Sequence, residues 1–184
     1  YALYRNKSSS RVVLLGNSAW SLPAYGAVLD SLRPGDWERI ICMLNYGREE
    51  VPGAAEEQTA FIKKYQDRFG PVFHAWTETV PFDDYLQVLM TAGVYVSPLK
   101  TQTGLGAIYT LLQMGCKLYL TGANLVWIRS LGCHVHNLEE VGTVLVSALQ
   151  RPLPESERMV NARVVENFLN PVKVLERWDA IYNT

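Results

Sequence analysis

Residues 94–114 have the sequence VYVSPLKTQTGLGAIYTLLQM, in which an apolar run, a turn with two glycines and a helical pattern follow one another. The run Val94–Ser97 is typical of a buried strand, and Ala107–Met114 has the apolar spacing of a helix. Between them, Gly104 and Gly106 let the backbone pass close to a ligand. The first N–H groups of a helix have no partner within it, and the helix dipole adds positive charge there. The stretch therefore predicts a phosphate-binding turn.

Short apolar runs and helical patterns alternate along the rest of the chain. Strands are predicted at residues 11–15, 38–44, 72–76, 93–97, 116–121 and 133–136. Helices are predicted at 23–32, 54–69, 82–90, 107–114, 124–131 (with Asn124 as the cap) and 138–150, and from 155 to the end with a break at Asn170-Pro171. Apolar rather than alternating strands are typical of a parallel sheet covered on both faces. We expect an α/β fold, a Rossmann-like doubly wound sheet, over residues 11–184.

Composition excludes several classes of protein. The 184 residues suffice for one well-buried core, and 17 basic against 18 acidic residues give no sign of a nucleic-acid partner. No apolar run reaches about 18 residues, so no membrane span is predicted. The three cysteines are interpreted as buried, reduced thiols of a cytosolic protein. Residues 1–10 are polar and begin without Met, so we interpret them as a linker or an artificial end preceding the C-terminal part of a longer polypeptide.

Several familiar sites are absent from the sequence. The glycine turn lacks the third glycine of a dinucleotide fingerprint, and neither a Walker A motif nor a Gly-x-Ser-x-Gly elbow occurs. His134 and His136 alternate along one predicted strand but have no carboxylate or Cys partner at a suitable spacing, so no metal is predicted. His74, Trp127 and Trp178 lie among apolar residues and are predicted to belong to the core.

Other residues leave two interpretations open. Lys100 precedes the glycine turn, where it would neutralise a diphosphate leaving group or remain a solvated loop lysine. Tyr46, Trp76 and Tyr109 lie near predicted strand ends, where a ring would stack on a nucleobase or pack against the core or rim. The turns at the carboxyl ends of the strands are rich in Gly, Asn, Ser and Thr. Taken together, they favour a polar ligand-binding rim.

Five motifs in collinear order resemble one known family. They are Leu15-Gly-Asn-Ser18, Asn45-Tyr-Gly47, Phe82-Asp-Asp-Tyr-Leu86, Gln102-Thr-Gly-Leu-Gly106 and Phe168-Leu-Asn-Pro171. The family is that of the 4-acetamido-4,6-dideoxygalactosyltransferases, also called 4-alpha-L-fucosyltransferases, of enterobacterial common antigen synthesis. The resemblance covers residues 11–180. It implies the C-terminal, donor-binding half of a GT-B glycosyltransferase, whose last helix packs toward a missing N-terminal domain.

The resemblance also implies a donor site. Gly16, Asn17 and Ser18 would line the cleft under the donor phosphates, and Tyr46 and Gly47 would lie near the nucleotide. The diphosphate would be held at the helix N-terminus by four further residues: Gln102, Gly104, Leu105 and Gly106. The chain departs from the family at two positions. Thr101 stands where the family tends to have arginine, and Ala107 stands where it has a hydroxyl residue.

We therefore expect a domain that binds a dTDP- or UDP-sugar without a metal or other cofactor. The sugar would pass to a lipid-linked saccharide held through the missing domain, and any general base would come from that domain, so no catalytic residue is named. The full-length protein is expected in the cytoplasm, with a peripheral association at the inner membrane as a further possibility. Two rivals remain: a sugar-nucleotide epimerase, for which Glu78 is the only nearby acid, and a non-catalytic binding module.

Overall fold

The computed structural model of the chain describes residues 10–18, 21–45, 47, 50–141, 149 and 151–182. The strands are β1 (Val12–Leu15), β2 (Arg39–Met43), β3 (Phe73–Trp76), β4 (Val94–Ser97), β5 (Lys117–Leu120) and β6 (His136–Asn137). The helices are α1 (Leu22–Ser31), α2 (Ala54–Phe69), α3 (Phe82–Thr91), α4 (Leu105–Gln113), α5 (Gly122–Ser130), α6 (Leu138–Val141), α7 (Glu155–Leu169) and α8 (Pro171–Tyr182). A short 3-10 turn, Gly70–Val72, precedes β3.

These six strands form one parallel sheet in the order β3-β2-β1-β4-β5-β6. The order reverses between β1 and β4, which pair from Val13 with Val94 to Leu15 with Val96. The predicted doubly wound, Rossmann-like sheet is confirmed. In such a sheet, ligands bind outside the carboxyl ends of the strands where the order reverses. The turns that follow β1 and β4 therefore meet at the position expected for a ligand site.

Helices bury both faces of the sheet, which explains why its central strands are apolar throughout. On one face, Val13 and Leu15 pack in a cluster with Leu29 of α1 and Tyr65 of α2. On the other face, Leu14 belongs to a second cluster, which is built with α3, α4 and α5 and includes Leu89, Leu111 and Ile128. Because alternate side chains of one strand enter opposite cores, no polar position interrupts the run.

Element ends differ from the predictions by several residues. Helix α4 begins at Leu105 rather than Ala107, because Gly104 adopts a left-handed conformation and serves as the N-cap. Helix α5 begins at Gly122 after Thr121, so Asn124 is an internal helix residue rather than the predicted cap. Strand β6 has two residues instead of four, at the edge of the sheet. Of the helix predicted at 138–150, the structure gives Leu138–Val141, and residues 142–148 and 150 lie outside its description.

Two predicted core residues are exposed. His74 lies on the edge strand β3 and is exposed, since no further strand covers that edge in the described sheet. Trp178 is 52% exposed on α8, a helix with no buried residue. Trp127 is half-buried against the second core. The prediction of buried thiols is confirmed, because all three cysteines are buried and free.

Candidate functional site

The glycine turn after β4 depends on the absence of a side chain at Gly104. Its φ is +67°, in the left-handed region that favours glycine. A Cβ built on Gly104 would lie 2.5 Å from Asn17 Nδ2. Asn17 belongs to the turn after β1 and is buried beneath the loop. The two turns at the reversal of strand order therefore touch each other, and only glycine fits at this contact.

The first turn of α4 offers amide groups to a ligand. The N–H of Ile108 bonds to the carbonyl of Gly104 at 3.0 Å, whereas the three preceding N–H groups have no acceptor within the helix. The N-cap is a glycine, so no cap side chain occupies these donors. A Cβ built on Gly106 meets no atom within 4 Å, so the helix start is open to solvent at this point. The nine-residue helix thus presents amides and the positive end of its dipole to an anion.

The turn after β1 is fixed from below by a tyrosine of α1. The Tyr25 hydroxyl donates a 2.6 Å bond to the carbonyl of Ser18. Gly16 has a φ of +66°, and a Cβ there would overlap the Tyr25 ring, so glycine is required again. The N–H of Gly16 bonds to the carbonyl of Val96 at 2.9 Å, which joins the ends of β1 and β4. Burial raises the pKa of Tyr25, so its hydroxyl remains a donor over the physiological pH range.

Ser18 and Ser97 add buried hydroxyl groups at the same strand ends. Ser18 is 0% exposed and Ser97 1% exposed. The Oγ of Ser97 has no hydrogen-bond partner within the part of the chain that the structure describes. Buried hydroxyls without partners are unusual in folded proteins. The position of the two serines at the carboxyl ends of β1 and β4 coincides with the candidate ligand site.

A pocket of about 340 Å³ opens beside the start of α4. It is lined by nine described residues from the ends of β1 and β2, the segment before α3, and the first turns of α3 and α4: Asn17, Met43, Asn45, Thr79, Val80, Phe82, Tyr85, Gly104 and Ala107. Phe82 is 72% exposed. The Oδ1 atom of Asn45 is buried, with no hydrogen-bond partner among the described residues. The pocket is mainly apolar with a few polar groups, as in sites for small organic ligands.

The structure brings some of the predicted site residues together. Asn17 and Gly104 line the pocket, and Leu105 and Gly106 begin the adjoining helix. Gly16 and Ser18 lie directly beneath, in the turn held by α1. Other predicted residues lie apart from the pocket lining: Lys100 and Gln102 are exposed on the loop before the turn, and Gly47 is buried after β2. Tyr46 lies outside the described residues.

Two residues of the pocket, Asn45 and Phe82, have no individual role in the sequence predictions. Both stand in motifs that carry the family resemblance, and Asn45 belongs to one of the turns predicted to form the polar rim. Asn124, predicted as a helix cap in another of these turns, lies outside the pocket lining. An exposed aromatic at the first position of a helix, directly after Pro81, is the signal that points to Phe82. Tyr109 was predicted either to stack on a nucleobase or to pack against the core or rim. Its ring packs on Phe168 and its hydroxyl accepts a hydrogen bond from Trp127 Nε1, which is the packing role.

The site contains no candidate metal centre in the described ranges. Among the residues described, no three His, Cys, Asp or Glu side chains lie close enough together to hold a metal ion. None of the nine residues lining the pocket is acidic or a histidine. The described helices also include none with both the length and the hydropathy of a membrane span.

Comparisons with known proteins agree on the fold. No protein-family model matches the chain, and no curated protein matches it by sequence. By structure, it is similar to the alpha,alpha-trehalose 6-phosphate synthase of Burkholderia multivorans, with a TM-score of 0.60 and 11% identity over 97% of this chain and 45% of that one. A UDP-forming alpha,alpha-trehalose-phosphate synthase of Burkholderia xenovorans matches with a TM-score of 0.57 and 13% identity, over 88% of this chain and 41% of that one.

A third similar structure is the catalytic domain of the cholesterol-alpha-glucosyltransferase of Helicobacter pylori. Its TM-score is 0.51 at 14% identity, over 86% of this chain and 99% of that chain. The chain spans less than half the length of the two synthases. It therefore has the Rossmann-like fold of GT-B glycosyltransferase domains, as predicted, while the resemblance to the fucosyltransferase family stays a prediction.

Proposed function

We propose that the chain is the donor-binding domain of a glycosyltransferase and that its site binds a nucleoside diphosphate sugar. One observation carries the proposal: the apolar pocket and the open start of α4 are continuous. Gly104 and Ala107 line the pocket and also belong to the cap and first turn of the helix. A ligand that fills both would have a flat, largely apolar end and an anionic end a few ångströms away. A nucleoside diphosphate has this shape and charge.

The diphosphate would lie at the start of α4. The N–H groups of Leu105, Gly106 and Ala107 would donate to phosphate oxygens, with the helix dipole favouring the negative charge. Charge grows on the diphosphate as the glycosidic bond breaks, so these fixed donors would stabilise the leaving group. The exposed Lys100 would add a cation from the same loop. This arrangement supplies the electrostatic part of glycosyl transfer from backbone groups.

The nucleoside would occupy the pocket. A volume of about 340 Å³ accommodates a nucleobase and part of a ribose. Val80 and Met43 provide apolar walls, and Phe82 offers a ring on which a base can stack. The buried Oδ1 of Asn45 would accept a hydrogen bond from the base edge. The structural similarity to a UDP-forming synthase, together with the family resemblance, supports UDP or dTDP as the carrier.

The acceptor side of the reaction would come from another part of the protein. Helix α8 exposes an apolar stripe that would pack on a facing domain: Val172, Leu175, Trp178, Ile181 and Tyr182. By the family resemblance, that domain would bind a lipid-linked saccharide at the cytoplasmic face of the inner membrane and would supply any general base. The isolated chain is then expected to bind nucleotide weakly and to transfer no sugar.

Titration calorimetry of this chain tests the proposal. UDP, dTDP, GDP and ADP are titrated in turn, and we expect one pyrimidine diphosphate to bind in preference to the purine nucleotides. Uridine and thymidine are expected to bind more weakly than their diphosphates, because they lack the contacts with α4. Absence of binding by all four diphosphates at millimolar concentration would overturn the proposal and favour a non-catalytic module. Sugar transfer by the isolated chain would contradict the assignment of the acceptor and base to another domain.

A further inference from the structure

The start of helix α5 holds the loop between β4 and the glycine turn through hydrogen bonds. Three carbonyl groups of the loop accept hydrogen bonds from three residues of that helix start, Thr121, Ala123 and Asn124. Thr121 Oγ1 donates to Leu99 at 3.1 Å, and the N–H of Ala123 donates to Lys100 at 2.9 Å. Asn124 Nδ2 donates to the carbonyl of Thr103 at 2.8 Å. The start of α5 is therefore used to hold the loop.

The contact between loop and helix is as close as backbone allows. Gly122 has a φ of +54°, and a Cβ there would overlap the carbonyl of Lys100. Asn124 itself is 0% exposed, and its Oδ1 has no hydrogen-bond partner within the described ranges. A buried amide that uses its donor and leaves its acceptor without a partner is costly for the fold. The hydrogen bond from Asn124 Nδ2 to the Thr103 carbonyl accounts for this amide at a buried position.

Thr103 links the hydrogen bonds from α5 to the candidate site. Its carbonyl is bound by Asn124, and its Oγ1 accepts a 3.1 Å bond from Asn17 Nδ2. The next residue is Gly104, the N-cap of α4. Fixing Thr103 from two sides fixes the direction in which the first amides of α4 point. Donors that are positioned in advance bind an anion more tightly, because no ordering cost is left for the ligand to offset.

We propose that Asn124 is a positioning residue for the diphosphate, acting through Thr103 on the amides at the start of α4. The proposal rests on the proposed function, since it assumes that a nucleoside diphosphate occupies that helix start. It assigns Asn124 no contact with the ligand. A purely structural role would lower the stability of the fold and leave the balance between nucleoside and diphosphate binding unchanged. A positioning role changes that balance.

The test is the ratio of UDP affinity to uridine affinity, with dTDP and thymidine titrated in parallel. Asn124→Asp keeps the size of the side chain and removes the donor, and Asn124→Ala removes the side chain. We expect each to lower the ratio about tenfold, the effect of weakening one hydrogen bond to a charged group, and to leave uridine affinity unchanged. Thr121→Val, which is isosteric, removes the bond to Leu99 and should lower the ratio by a smaller factor.

Asn161 supplies the matched control. It is 1% exposed and, like Asn124, holds backbone: its Nδ2 donates to the carbonyl of His134 at 2.9 Å, and its Oδ1 accepts from the N–H of His134 at 2.6 Å. Asn161→Ala is expected to lower the melting temperature without changing the ratio. An unchanged ratio in folded Asn124→Asp, or in Thr121→Val should the Asn124 variants not fold, overturns the inference. Failure of the wild-type chain to bind UDP and dTDP overturns the proposed function instead.

Discussion

Replacing Gly104 by alanine tests the glycine turn at the point where the two strand ends touch. The left-handed backbone conformation, with φ of +67°, costs an L-residue about 1–2 kcal/mol. The new Cβ would also lie 2.5 Å from Asn17 Nδ2, so Asn17 must move and its bond to Thr103 is lost. Such a bond contributes about 0.5–1.5 kcal/mol. We therefore expect the free energy of unfolding to fall by about 1.5–3.5 kcal/mol in urea denaturation.

Ligand binding should fall further than stability alone would explain. Moving the Gly104 backbone redirects the first amides of α4, and the loss of one hydrogen bond to a charged group costs about 1.5–3 kcal/mol. This corresponds to an increase of about 10- to 100-fold in the Kd for UDP, measured by calorimetry. Uridine, which lies away from these amides in the proposed site, should lose much less affinity.

Gly132→Ala is the control for the backbone cost. Gly132 also has a positive φ, of +91°, but a Cβ there meets nothing within 4 Å, and the residue follows the far end of α5. This variant should lose only the backbone contribution of about 1–2 kcal/mol and keep its affinity for UDP. The reasoning is refuted if folded Gly104→Ala binds UDP like the wild type, or if Gly132→Ala weakens UDP binding equally.

Three further substitutions probe the pocket, the loop and the core. Phe82→Ala should weaken uridine and UDP alike by about 5- to 100-fold in calorimetry, the range of base stacking, whereas Tyr182→Ala, at a similarly exposed aromatic on α8, should change neither. Lys100→Gln should raise the Kd for UDP by less than about tenfold in low salt and hardly at all in 1 M salt; an effect independent of salt would exclude a charge interaction. Burial, and secondly the charge of Arg151, lowers the pKa of Lys117 from 10.5 in the unfolded chain to about 8 in the fold. Protonation of Lys117 therefore destabilises the fold, fully below pH 8 and progressively less toward pH 10.5. Relative to Lys117→Met, which does not titrate here and also lacks the bond from Lys117 Nζ to the Arg151 carbonyl, the melting temperature of the wild type should therefore rise between pH 8 and about pH 10.5; a difference independent of pH would contradict the assignment.

The sheet could be predicted because its determinants are local. The runs that become β1 and β4 are apolar at almost every position, and burial on both faces leaves few other structures for such runs. Prediction failed where burial depends on neighbours. His74 has apolar residues around it in sequence, but β3 is the edge of the described sheet. Trp178 follows a helical apolar pattern, yet α8 packs no residue into the core of this chain.

The part of the candidate site that lies next to the strands could also be predicted from the sequence. The glycines and Asn17 are adjacent to strands with a recognisable pattern, so their position at the carboxyl edge follows from topology. The position of Asn124 at this edge follows likewise, but its bond to Thr103 carries no such signal, because that bond depends on how closely α5 approaches a loop more than 20 residues earlier. A local pattern of Thr-Gly-Ala-Asn predicts a helix start and says nothing about which carbonyl groups that start will bind.

In the proposed function, helix α4 joins two weak binding sites into one. Gly104 and Ala107 line the pocket proposed for the nucleoside, and the same turn carries the amides proposed for the diphosphate. A nucleoside bound in the pocket therefore brings its own phosphates to these amides at an effective concentration in the millimolar range or above. The affinity of a nucleoside diphosphate should accordingly exceed what uridine or pyrophosphate reaches separately. One rigid element carries both proposed contacts, and the three carbonyl groups held by the start of α5 fix the loop that leads into it.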